Sequence, residues 1–337
     1  LNLIMLNPRL LRVRSALMRQ CMAEFLGTLV LILFGLSAAA QVTTSRQTKG
    51  QTLSIHLSWA VGVMSATFLT KGISGAHLNP AVSLCFCILG KLRWGQLLPY
   101  CLSQLLGAYV AAALVFALYY DAIMDFSGGV LTVYGPNETA SIFATYPSEY
   151  LTLGGSFLDQ VVGTGTLLLC ILSLTEKRNT PAPPDLIAPI VAGIVLGIIM
   201  SMSANCGAAL NPARDLGPRL LMLTAGWGTE VFTCYNYWFW VPIVAPITGA
   251  LAGTSLYLFF IEWQLPDEPL EKLPTISTIS DIFAVYGGRE VQIHCKDRNA
   301  LKNTKSTPNI KLRQLTNTQN TMQWKNAAKE KCQYHRN

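Results

Sequence analysis

The chain has 337 residues, 51% of them hydrophobic and only 13% charged, with a formal net charge of +7. Soluble domains carry roughly 25% charged residues, so this composition argues against a soluble globular protein and for a chain solvated by lipid. The positive excess gathers in the ends and short connections, as membrane topology predicts, so nucleic acid is not an expected partner.

Residues 1–19 form a basic N-terminal segment with Arg9, Arg12, Arg14 and Arg19. The charge-free run Phe25–Val42 follows; it is too long for a cleavable signal peptide and predicts a first spanning helix over 20–41. Further spanning helices are predicted over 53–71, 94–119, 156–175, 187–204 and 237–263. Each is near or above the ~20 apolar residues that cross a ~30 Å hydrocarbon layer. Two apolar pieces, 80–90 and 212–223, are too short to span, and each begins with Asn-Pro. The connection 121–155 carries no Lys or Arg, whereas the turn at 90–94 holds Lys91 and Arg93, and the connection 176–186 holds Lys177 and Arg178. With six crossings, this asymmetry puts both termini in the cytoplasm, although Arg46 and Lys49 in the first outer connection run slightly against it. The outer 121–155 connection contains the sequon Asn137-Glu138-Thr139, a candidate N-glycosylation site. The polar stretch 265–337 lacks helical periodicity and reads as a mostly disordered cytoplasmic tail. The cysteines in apolar runs, such as Cys85, Cys87 and Cys101, read as small membrane-core residues. Neither a metal-ligand spacing nor a nucleophile–base pair appears, so no cofactor and no enzymatic activity are expected.

The chain repeats itself. Gly75-Ala-His-Leu-Asn-Pro-Ala81 and Gly207-Ala-Ala-Leu-Asn-Pro-Ala213 agree at six of seven positions. Upstream, Glu24-Phe25-Leu26-Gly27-Thr28 is set against Asp159-Gln160-Val161-Val162-Gly163-Thr164, an acid ahead of Gly-Thr in each, 55 and 52 residues before the Asn. The repeats run over about 20–120 and 156–263 within a channel domain of 20–264. Each unit has three crossings, an odd number, so the second copy is inverted in the membrane. Inverted repeats place a functional site near the midplane, where broken helices meet.

Asn-Pro-Ala is a helix start. Asn caps the first turn, Pro suits the next position, and Ala allows close approach. Asn79-Pro80-Ala81 and Asn211-Pro212-Ala213 therefore predict two half-helices meeting N-terminus to N-terminus. Each end carries about half an elementary positive charge, which makes a barrier to cations and protons. The approach segments 72–78 and 204–210 must be non-helical, which membrane depth permits only where the backbone is buried or lines a water-filled cavity. Glu24 and Asp159, acids inside spans, are expected to brace them by accepting amide protons. Arg214 directly follows the second motif and reads as a pore-facing donor. Asp215 and Arg219, four residues apart, read as a local ion pair or as substrate contacts. His77, opposite Ala209 in the repeat, reads as a pore-lining hydrogen bonder or a pH gate.

These motifs resemble the major intrinsic protein family over roughly 15–265, in particular its aquaglyceroporins. Asn211-Pro212-Ala213-Arg214-Asp215, Pro242-Ile243 and Ile142-Phe143-Ala144-Thr145-Tyr146-Pro147 carry the likeness to the glycerol-type subgroup, whose signature falls here on Asp215, Arg219, Pro242 and Ile243. The resemblance implies an all-α membrane fold of six transmembrane helices plus two half-helices. It also implies a plasma-membrane homotetramer with one pore per subunit, passing water, glycerol and urea but not ions. The family's filter falls on Trp59, Ile199, Ala208 and Arg214. Ile199 stands where water channels usually have His and glycerol channels Gly. Ala208 stands where an aromatic residue is common, and Ser203 where Gly is. A water-selective channel and a secondary active transporter remain as alternative readings.

Overall fold

The computed structural model describes residues 12–267, together with 291–295 and 310–314. Two compact units divide at Leu265/Pro266. In the second, Val291–Cys295 (β1) pairs antiparallel with Ile310–Gln314 (β2), Val291 opposite Gln314. Most of the stretch expected to be disordered, like Arg9, lies outside the described residues.

The first unit is helical. Among the described residues, six elements are long and apolar enough to cross a membrane. They contain α1 (Ala16–Thr44), α2 (Thr52–Ser74), α4 (Trp94–Leu118), α6 (Leu153–Ser173), α7 (Ile187–Met202) and α10 (Val241–Phe260). The half-helices are α3 (Pro80–Ile88) and α8 (Pro212–Ala225). Polar caps set the entries: Ser15 accepts from the Met18 amide at 3.3 Å, and Thr152 from that of Gly155 at 3.0 Å. On α1 the buried face runs Glu24, Gly27, Thr28, Leu31, Ile32, Gly35, at the spacing of one helix side. Leu98, Leu102 and Leu106 leave an exposed leucine stripe along α4, which suits lipid and would be a liability in water.

Each half-helix packs against the third long helix of both repeats, α3 and α8 alike contacting α4 and α10. Backbones approach closely at matching places. A Cβ on Gly107 of α4 would meet the Phe25 carbonyl oxygen at 2.4 Å, and one on Gly249 of α10 would meet that of Val161 at 2.3 Å. Only small residues allow such crossings in lipid, where no hydrophobic force drives helices together.

Two stretches depart from the sequence reading. The 121–155 connection contains a helix at its start, α5 (Tyr120–Ser127), with Ile123 and Phe126 buried, and a single turn at Ala140–Ile142. The last span, expected from 237, begins its regular helix only at Val241. Ahead of it, α9 (Glu230–Tyr237) breaks where Tyr235, Asn236 and Tyr237 take positive φ, and a tight turn follows at Trp238–Trp240. Aromatic residues hid this break, because their hydropathy continues through it.

Candidate functional site

The approach segments place the two motif Asn residues. Gly75, Ala76 and Leu78 have φ of 92°, 56° and 56°; Gly207, Ala208 and Leu210 have 75°, 45° and 56°. Left-handed backbone at a non-Gly residue costs of order 1–3 kcal/mol, so the surroundings must hold it. In the first repeat Glu24 does so. Its Oε1 accepts from the His77 amide at 3.0 Å, and its Oε2 from the Leu78 amide at 2.7 Å and from Gln104 Nε2 at 2.8 Å. The carboxylate is fully buried, and three N–H donors compensate its charge.

In the second repeat the brace is Gln160, not Asp159. Gln160 Oε1 accepts from the amides of Ala209 at 2.9 Å and Leu210 at 3.4 Å. Asp159 reaches earlier in the segment, accepting from Asn205 Nδ2 at 2.8 Å and from the Cys206 thiol at 2.9 Å. The cause is register. Glu24 lies three residues before Gly27, and Gln160 three before Gly163, whereas Asp159 lies four before. One residue turns a helix by about 100°, which aims the acid elsewhere. The glycines confirm the alignment: a Cβ on Gly27 would strike Leu78 Cδ2 at 2.6 Å, and one on Gly163 Leu210 Cδ2 at 2.9 Å.

Asn79 caps α3, accepting from the Ala81 amide at 2.8 Å; Asn211 caps α8, accepting from the amides of Ala213 at 3.0 Å and Arg214 at 3.3 Å. Pro80 and Pro212 open their helices. The Asn side chains also cross. Asn79 Nδ2 donates to the Leu210 carbonyl at 2.8 Å, and Asn211 Nδ2 to the Leu78 carbonyl at 2.7 Å. Each amide therefore spends one N–H tying the halves together. An amide nitrogen carries two protons, so one remains.

Both Asn residues line a cavity of about 490 Å³. Its lining runs from Thr43, Ile55 and Ser141 at one face to Lys71, Leu174 and Thr175 at the other. Trp59, Ile199, Ala208 and Arg214 all line it, as do both approach segments and His77. The Arg214 guanidinium lies 4.6 Å from the Trp59 ring centroid and donates from Nη1 to the Phe143 carbonyl at 2.9 Å. Trp59 is seated against α1 at Gly35, where a Cβ would fall 2.2 Å from the indole. His77 Nδ1 lies 3.1 Å from Ser83 Oγ, and its ring packs against Phe86 and Tyr100.

The remaining signature residues stand off the cavity. Asp215 and Arg219 form a fully buried ion pair. Asp215 Oδ2 accepts from the Thr145 amide at 2.8 Å and hydroxyl at 2.5 Å, and Arg219 donates to the carbonyls of Thr145 and Val231. The pair thus stitches the 142–147 segment, and with it the Phe143 carbonyl that holds Arg214, onto α8. Between the two readings of these residues, the geometry takes the ion pair. Pro242 and Ile243 sit in the first turn of α10. Asn137 is exposed, while Thr139 of its sequon is buried. Gln160 was legible through the Gly-Thr register. Thr145, Gln104, Ser83 and Gly35 were not, because their roles depend on contacts between distant segments.

Residues 12–257 match the family model of the major intrinsic proteins. The chain is 50% identical to human aquaporin-10 over 259 residues, covering 77% of this chain and 86% of the relative, and 44% identical to human aquaporin-9 over 255 residues, covering 75% and 86%. It is also similar to the X-ray structure of the aquaglyceroporin from Plasmodium falciparum, with a TM-score of 0.65, 33% identity, and coverage of 72% of this chain and 95% of that one. Together with the paired half-helices, these likenesses establish that the chain belongs to the major intrinsic protein family.

Proposed function

We infer that this membrane protein is a passive channel for water and glycerol that excludes ions and protons. The observation that carries the reading is the pair of half-helix N-termini cross-tied through Asn79 and Asn211 in the wall of one cavity. Two helix ends of about half a positive charge each repel cations and hydronium at the meeting point. A passing hydroxyl or water oxygen accepts from the remaining amide proton of each Asn. Because the brace residues Glu24 and Gln160 take amide protons from behind the approach segments, the carbonyls of those segments supply acceptors to the lumen. Val63, Val82 and Val195 supply apolar wall. Such a stripe suits small molecules with hydroxyls on one side and carbon on the other, and urea falls in the same size and polarity class. Trp59 and Arg214 form the narrow filter with Ile199 and Ala208. Both termini are cytoplasmic, in a homotetramer of the plasma membrane with Asn137 open to glycosylation outside.

His77 is the residue for pH control. It faces the cavity beside Ser83, with Glu24 and Tyr100 around it. Glycerol flux that changes between pH 5 and 8 in the wild type and not in His77→Ala supports this role; a flat wild-type profile removes it. The main reading is tested in reconstituted vesicles under a glycerol gradient alone. Swelling without any ion gradient supports a passive channel. Dependence on an ion gradient points to active transport, and swelling by water alone to a water-selective pore.

A further inference from the structure

Acids and bases are unevenly spread over the two repeats. Glu24 is the only acidic residue among the first 120, and it is fully buried behind the first approach segment. The second repeat is balanced where the first is not. Glu176 pairs with Arg178 at 3.1 Å, Asp185 stands in the same connection, and Glu262 lies just past α10. The uncompensated charge gathers where α1 and α4 begin, and contacts hold it in one place. Leu17, in the first turn of α1, packs against the cluster of Cys87, Leu92 and Tyr100. Gln96 Nε2 of α4 donates to Gln20 Oε1 of α1 at 2.7 Å, and Gln96 Oε1 accepts from Arg93 Nε at 3.2 Å. Arg19 Nη1 donates to the carbonyls of Val13 at 2.7 Å and Arg14 at 2.9 Å, which folds the chain ahead of α1 back onto its first turn. Arg12, Arg14 and Arg93 are exposed. Lys91 turns elsewhere, its ammonium 5.9 Å from the Phe86 ring centroid. Beside the arginines the surface is apolar: Met18 and Met22 of α1 are each 54% exposed, and Trp94 and Leu98 of α4 are 63% and 67% exposed.

We propose that the joined base of α1 and α4 binds an anionic phospholipid, with its phosphates on Arg12, Arg14 and Arg93 and its chains along Met18, Met22 and Leu98. Membrane topology alone does not explain the arrangement. That bias counts Lys and Arg and takes little account of acids, so it asks for bases on this face but not for their separation from every acid. A guanidinium presents a planar fork that matches two phosphate oxygens at once. Three of them offer more donors than a single phosphate uses, so a headgroup with several phosphates, of the phosphoinositide class, fits better than a serine headgroup. Trp94 stands at the same level, where indole rings favour the boundary between headgroup and chain. The exposed leucines and methionines then distinguish a lipid from a free phosphate, which has no chains to lay on them. Each base beside an anionic headgroup is worth about fivefold in affinity. The site is separate from the pore and does not depend on what the pore carries.

The test is native mass spectrometry of the full chain in detergent, titrated with a phosphatidylinositol bisphosphate, phosphatidylserine or phosphatidylcholine. Soluble inositol trisphosphate serves as a headgroup without chains. The wild type should retain the bisphosphate lipid best, phosphatidylserine less and phosphatidylcholine least, with retention falling as salt is raised. Arg93→Gln should weaken the bisphosphate lipid by about fivefold, and the triple variant Arg12→Gln, Arg14→Gln, Arg93→Gln by about a hundredfold. Arg93→Lys keeps the charge and should recover most of the loss, which separates binding from any effect on the fold. Lys177→Gln, in the balanced connection, should change nothing. Equal retention of phosphatidylcholine, an unaltered triple variant, or a Lys177→Gln loss equal to that of Arg93→Gln overturns the site. Inositol trisphosphate binding as tightly as the lipid would overturn the lipid assignment in favour of a free phosphate ligand.

Discussion

The two half-helices share a backbone and differ in what anchors it. Both approach segments follow the same run of left-handed residues, both end in an Asn cap, and each Asn ties to the other half. Behind the first stands a carboxylate with two oxygens, one for each amide; behind the second stands an amide with one oxygen serving both. Further along, Ser83 and Cys87 of α3 correspond to Asp215 and Arg219 of α8, four and eight residues after the respective Asn. The first half-helix is therefore held by neutral contacts and the second by a buried ion pair. The ion barrier needs only the shared geometry, which is why the chemistry underneath could diverge. On the proposed reading, solute choice belongs to the divergent parts: Arg214 against Val82, and Ala209 against His77.

The largest expected effect sharpens this contrast. Asp215→Ala leaves the Arg219 guanidinium buried without its partner, so thermal unfolding in detergent should show a loss of about 3–5 kcal/mol. Ser83→Ala, the matching change in the first half, should cost about 1 kcal/mol in the same assay. Equal losses would mean that the two anchors are not as different as their geometry.

Exchanging the braces comes next. Glu24→Gln replaces one of two accepting oxygens with a donor facing another donor, at a cost of about 2 kcal/mol. Gln160→Glu sets a second carboxylate beside Asp159 and removes the N–H groups that Gln160 gives to Asp159 and Cys206. Both exchanges should lower stability and glycerol flux; a silent exchange in either half would show that its segment holds its shape unaided. Gly35→Ala drives a methyl into the Trp59 ring, an overpacking worth about 1–3 kcal/mol. Glycerol flux should fall more than stability does, and pairing it with Trp59→Phe should recover part of the flux.

Ile199→Gly acts on the proposed filter alone. It should raise the glycerol-to-water permeability ratio by about threefold, a modest gain typical of apolar pocket volume. The smallest effect is at the outer connection. Burial raises the Glu138 carboxyl above its ordinary value, although the amide and hydroxyl of Ser141 donate to it. A raised acid favours the folded state while protonated, and that contribution fades as pH rises through its folded value. Proteolytic nicking of the 128–145 region should therefore increase from mildly acidic to neutral pH, and Glu138→Gln should flatten the trend.

The spans, the half-helices and the head-to-head junction were legible because they rest on local signals: charge-free length, capping chemistry and a duplicated motif. Counting back from the two Asn residues pointed to Trp59, Ile199, Ala208 and Arg214, all of which line the cavity. What was illegible depended on contacts between segments far apart in sequence. Thr145 meets Asp215 across 70 residues, and Gln104 meets Glu24 across 80. The misassigned brace shows a different failure. Asp159 was favoured because it is an acid, yet an amide oxygen accepts an N–H equally well, and the Gly-Thr register already pointed to Gln160.

The central claim is that one pore passes glycerol while its paired helix ends stop protons. Vesicles carrying the reconstituted protein and an internal pH dye can report both at once under a glycerol gradient. The account predicts rapid glycerol entry with the interior pH unchanged. A pH shift that accompanies glycerol, or glycerol entry that stops when ion gradients are absent, would contradict it.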